Sequence, residues 1–157
     1  MSPEQNAPVT LILLLKVVHI LAAIVAVGSN VTYAFWLARA GRDRDRLVFT
    51  IEGIRRLDSR IANPAYVLVL LTGLGMVALG AFSFATGWIL AAIVLYVALV
   101  VIGIAFFAPA IKRQLEEAQR DPSSAAYAAA ASRSNLFGVG TLLVVLVIVF
   151  LMVTKPF

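Results

Sequence analysis

The sequence predicts an all-α fold: a transmembrane four-helix bundle with both termini extracytoplasmic. Three observations carry that expectation. Of the 157 residues, 62% are hydrophobic and 13% charged, against roughly 45–50% and 25% in a soluble domain. Residues 17–38, 61–111 and 134–154 form three long stretches without a formal charge. All thirteen Lys and Arg residues except Lys16 and Lys155 fall between 39 and 60 or between 112 and 133. A spanning helix uses about 20 apolar residues, so the chain holds one domain, 1–157, with four spans and no room for a second.

The first span covers about residues 10–38. Eight residues without Lys or Arg precede it, and it outruns a signal peptide's apolar region before ending in Phe35, Trp36 and Arg39, so it reads as an uncleaved span. The uncharged stretch 61–111 is too long for one crossing. Its turn-like segment, Gly80 to Gly87, divides it into spans at 64–82 and 87–110. Asn63-Pro64 places a proline where helices commonly start, and Pro109 is expected to bend or end the third helix. The fourth span is 135–154. Asp121-Pro122 supplies a cap and a first-turn proline for a helix that begins before the membrane and takes in the alanine run from Ala125 to Ala131. A β-barrel would need alternating polarity, and these runs are apolar on both faces.

The positive-inside rule makes 39–63 and 111–134 cytoplasmic loops of a protein in the bacterial inner membrane. That accounts for a net charge of +5 without nucleic acid. The first loop interleaves Leu47, Val48, Phe49, Ile51 and Ile54 with charges. It is either an amphipathic helix on the membrane surface or a solvated extension of a neighbouring span. Tyr33, Trp36, Tyr66, Phe106 and Phe107 fall near the inner boundary, and Phe82, Trp88 and Phe157 near the outer one, as interfacial anchors do. The lipid bilayer is the first partner; other membrane subunits or a second copy of the chain are further ones.

Cysteine is absent, which excludes disulfides, thiol nucleophiles and Cys-ligated metals. No catalytic residue is assigned: Ser29 has no acid or second His near it, and no glycine-rich phosphate cradle follows a strand. Thr72 to Gly75 and Gly138 to Gly140 read as close-packing positions.

Two ionisable side chains, Lys16 and His19, fall inside a span, where such groups are expensive. Lys16, His19, Ala23, Ala26, Val27 and Asn30 share one helical face. Lys16 is near enough to the outer end to snorkel. His19 serves either as a neutral imidazole bonded across helices or as a ligand to haem iron, since a four-helix bundle can enclose a porphyrin. With a single His, the sixth ligand within the chain would be methionine. Met76 lies about 18 Å along helix two and His19 about 14 Å along helix one, at comparable depth, whereas Met152 is shallower. Lys16, with Lys155, would then face the haem propionates.

Leu15-Lys16-Val-Val-His19-Ile20, Asn63-Pro64-Ala65, Leu71-Thr72-Gly73-Leu74, Gly87-Trp88 and Lys155-Pro156-Phe157 together give the chain a family likeness. It resembles a bacterial integral membrane family, domain of unknown function 2269. That family is similar, more distantly, to membrane-embedded haem-containing protoporphyrinogen oxidases of the HemJ type and to copper-resistance D-like proteins. The resemblance implies haem b on His19, the His that follows a Lys in the oxidases' first helix. The oxidases' Lys after the helix-three Trp is replaced here by Trp88-Ile-Leu-Ala-Ala92, and their acidic residue and Pro before the last span by Asn135-Leu-Phe-Gly-Val. Porphyrinogen oxidation is therefore not implied.

Three functions fit the residues. One is a haem b carrier in electron transfer or an accessory subunit. A second is a cofactor-free structural or assembly subunit, with His19 and Asn30 joining helices. The third is an oligomeric transporter or channel lined by Lys16, His19 and Asn30.

Overall fold

The computed structural model describes residues 3–156; Phe157, expected as an outer anchor, lies outside them. Six α-helices follow one another: α1 (Pro3–Ala40), α2 (Arg44–Leu57), α3 (Asn63–Ala78), α4 (Gly87–Ile102), α5 (Ala108–Arg120) and α6 (Ala125–Thr154). Two π-helical turns, Asp58–Ala62 and Gly103–Phe107, weld α2 to α3 and α4 to α5. The result is four continuous rods, each long and apolar enough to cross a membrane. No strand occurs among the described residues.

Each turn between rods has a local cause. The first follows α1 at Gly41, whose φ of 66° suits a residue without Cβ. Asp43 then caps α2, its carboxylate accepting from the Arg46 N–H at 2.9 Å. The second turn begins at Leu79 and Gly80 (φ 77°). In the third, Asp121 does not cap α6. Its carboxylate accepts from the Ser123 N–H and hydroxyl at 2.8 and 2.6 Å. The cap is Ser124, whose Oγ accepts from the Tyr127 N–H. The Asp-Pro pair thus shapes the turn, and the helix starts three residues later than expected.

Pro64 stands in the first turn of α3, as expected, and Pro109 in the first turn of α5, yet neither interrupts its rod. Each follows a π turn by two residues. A proline in a helix removes an N–H and pushes against the carbonyl four residues back, and a local shift to i→i+5 bonding accommodates it. The Asn63 N–H bonds the Asp58 carbonyl, and the Ala108 N–H bonds the Gly103 carbonyl. The segment 39–63 is therefore helical from Arg44 onward, continuous with α3, as an extension of the span.

The extension does not stand alone. Leu47, Ile51 and Ile54, one turn apart, bury one face of α2, and Ile111, Leu115 and Ala118 of α5 meet Leu47 and Ile51 together with Ala40. Leu47 and Ile51 are 1% and 0% exposed; burying such side chains contributes about 1.5–3 kcal/mol each. Arg44 ties the same pair together, its guanidinium donating twice to the Gln119 carbonyl at 2.8 and 2.6 Å. Gln114 Oε1, buried on α5, has no hydrogen-bond partner among the described residues.

The apolar lengths behave differently. Leu13, Val17, Ile24, Leu71, Val94, Leu143 and Phe150 all leave roughly half or more of their surface uncovered, an apolar area no soluble monomer shows; a bilayer is the solvent that accepts it. Within the bundle α1 packs on α3 and α4 on α6, while α1 touches α6; the backbones of α3 and α4 stand further apart, bridged by Tyr96 OH donating to the Tyr66 carbonyl. The two pairs leave a cleft between them, and His19, Met76 and Asn30 line it.

Candidate functional site

The cleft holds two cavities. At the end opposite the arginines is an apolar cavity of about 650 Å³. His19 enters it from α1, Gly73 and Met76 from α3, Trp88 from α4, and Met152 from α6.

His19 is fixed by α3. Its Nδ1 lies 2.9 Å from Thr72 Oγ1, and that hydroxyl is 2.6 Å from the Leu68 carbonyl. A hydroxyl has one proton. With that proton given to Leu68, the ring must donate from Nδ1, and Nε2 keeps its lone pair. Gly73 makes room for the imidazole: a Cβ there would stand 3.3 Å from His19 Cε1. Thr72 and Gly73 thus form a polar and steric seat for the ring. A metal-bound histidine has the same arrangement, its second nitrogen anchored to fix tautomer and orientation.

Met76 is 7% exposed, one helical turn beyond Thr72, and its side chain joins the same wall as His19. Met152 also lines the cavity, so depth does not separate the two methionines. Of the two readings for Lys16, its position fits a side chain that snorkels and not one that faces the cavity. Its side chain is exposed and absent from the lining. The cation near the rim is Lys155, whose Nζ lies 5.0 Å from the Phe82 ring centroid and 5.8 Å from that of Trp88; both rings line the cavity. The cause is rotational. Lys16 and His19 are 60° apart around the helix, enough to turn the longer chain outward, while the left-handed backbone of Lys155 (φ 45°) ends α6 and leads its side chain across the two rings.

Asn30 is also separated from His19. It belongs to the second cavity, about 460 Å³, at the arginine-rich end. There Asn30 Nδ2 donates to Tyr66 OH at 2.7 Å, Tyr33 OH donates to Asp58 Oδ1 at 3.5 Å, and Tyr96 OH donates to the Tyr66 carbonyl at 2.9 Å. This cluster escaped the sequence reading, which gave Tyr33 and Tyr66 an anchoring role only. A signal existed: Asn30 and Tyr33 are three residues apart on one face, and Asp58 and Asn63 flank the proline-linked turn before Tyr66. Among the described residues no three His, Asp or Glu side chains gather to hold a metal ion.

No curated protein and no solved structure matches the chain. A family model described as a predicted integral membrane protein, DUF2269, matches residues 13–156. With four apolar rods in the structure and nearly the whole chain matched, the protein belongs to the DUF2269 family of predicted integral membrane proteins.

Proposed function

We propose that the protein is a haem b carrier of the bacterial inner membrane, with His19 as axial ligand, serving electron transfer or acting as an accessory subunit of a larger complex. The seating of His19 carries this reading. Nδ1 is held by Thr72, so the free lone pair is on Nε2, and the ring borders an apolar space large enough for a flat ligand. A neutral imidazole nitrogen and a thioether suit haem iron. Met76 supplies the thioether on α3 and Met152 a second one on α6. When bound, haem supplies a one-electron couple. The chain's own residues do the rest: Thr72 fixes the tautomer, Gly73 admits the ring, Trp88 and Ile89 exclude water, and Lys155 offers a cation to carboxylates at the rim.

The distribution of arginines orients the bundle. Under the positive-inside rule the α2–α5 end is cytoplasmic, both termini are extracytoplasmic, and the His19 cavity lies in the outer half of the bilayer. Visible absorption of the purified protein tests the reading: a Soret band that His19→Ala removes supports it, and a band unchanged by that substitution removes His19 as the ligand.

One observation favours a second reading. The His19–Thr72 bond already joins α1 to α3, which is what a cofactor-free structural or assembly subunit requires. Protein that stays colourless after haem supplementation decides for it. The separation of Asn30 and Lys16 from the His19 cavity disfavours a continuous polar path of the transporter kind.

A further inference from the structure

We propose that the cavity at the arginine-rich end binds the headgroup of a membrane quinone: a flat, uncharged ring bearing carbonyl oxygens, with its isoprenoid tail in the lipid. Charge comes first. Among the described residues no Lys or Arg lines this cavity, and the one charged lining group is Asp58, so a phosphate would meet no cation and would face a carboxylate. Hydrogen bonding narrows the class further. Tyr66 OH accepts from Asn30 Nδ2 and retains its own proton to give. Tyr33 OH reaches Asp58 only across 3.5 Å, a long bond that a ligand oxygen can displace. Tyr96 OH is spent on the Tyr66 carbonyl. Tyr66 and Tyr33 therefore offer donors, and a ligand that meets both offers neutral acceptors.

Shape agrees with that chemistry. The rings of Tyr66, Tyr96 and Phe107 line the cavity and give a planar headgroup faces to stack on. Val67 and Ile104, also in the lining, are 54% and 73% exposed. The cavity therefore opens sideways where α3 and α4 part, and a tail can leave into the bilayer. Tyr66, Tyr96 and Leu99 line both cavities, which places a bound headgroup one layer of side chains from the space beside His19. A role as electron partner rests on the haem reading above; binding of the headgroup does not.

The test uses full-length protein in detergent and a short-chain naphthoquinone followed by equilibrium dialysis. Saturable binding is expected, weakened about three- to tenfold by Tyr66→Phe or Tyr33→Phe, as loss of one hydrogen bond implies, with melting temperature unchanged. A photoreactive azido-quinone should label α1, α3 or α4 at residues lining this cavity. Non-saturable uptake, labelling beside His19 or on the outer surface, or undiminished wild-type affinity in both Phe variants overturns the proposal. So does displacement of the quinone by a short-chain alkylamine in wild type but not in Asp58→Asn, which would make the site one for cations. Haem retention without saturable quinone binding refutes this inference alone; saturable quinone binding by protein that never takes up haem upholds it and refutes only the haem reading.

Discussion

His19 Nδ1 and Thr72 Oγ1 stand 2.9 Å apart, and because the Thr72 proton is committed to the Leu68 carbonyl, the contact fixes which ring nitrogen is free. Thr72→Val preserves the shape and removes the acceptor. Loss of such an anchoring partner typically weakens metal affinity 10- to 100-fold. We expect Thr72→Val to lower haem occupancy, measured as Soret absorbance per protein at limiting haem, while Thr72→Ser retains it.

Gly73→Ala tests the steric half of the seat. Alanine favours a helix over glycine by up to about 1 kcal/mol, but here its Cβ would stand 3.3 Å from Cε1 and 3.7 Å from Nδ1 of His19, at the ring edge that Thr72 already tethers. Gly140 provides the control, with nothing within 4 Å of an added Cβ. Gly140→Ala should keep the spectrum and hold or raise the melting temperature; Gly73→Ala should shift or diminish the haem band.

Stability at the arginine-rich end depends on a water-excluding contact between α2 and α5. Ile51→Ala opens a cavity at a fully buried position, a change that costs about 2–5 kcal/mol. We expect a lowered melting temperature in detergent and faster proteolysis between α1 and α3. Haem occupancy below the transition should not change, since Ile51 lines neither cavity.

Because the chain has no cysteine, single introduced cysteines report topology cleanly. In spheroplasts an impermeant maleimide should label Ala85→Cys, in the turn between α3 and α4, and should label Arg42→Cys only after lysis. The reverse pattern would invert the bundle and move the His19 cavity to the cytoplasmic half.

The four apolar rods and the turn near Gly80 were legible because length and charge placement are global properties of the sequence. The passage of helices through Pro64 and Pro109 was not. Proline rules are local, and the π turns that accommodate both residues leave no signal in the apolar pattern. For the same reason Arg44–Leu57 read ambiguously: its apolar face signals burial without naming what buries it. His19 and Met76 stood out in the sequence because ionisable and sulfur-bearing groups are rare in the spans. The Asn30, Tyr33, Asp58 and Tyr66 cluster was missed because aromatic residues at a membrane boundary have an ordinary explanation, and only the closeness of α1 and α3 shows their hydroxyls converging. The exchange of Lys16 for Lys155 at the rim turned on side-chain direction, which spacing alone does not give.

The most direct measurement is the oxidised and dithionite-reduced absorption spectrum of detergent-purified protein after haem supplementation, recorded beside His19→Ala. We predict a Soret band with a reduced α-band in the wild type and neither in the variant. A colourless wild type, or a variant spectrum identical to it, would contradict the assignment of His19 as a haem ligand.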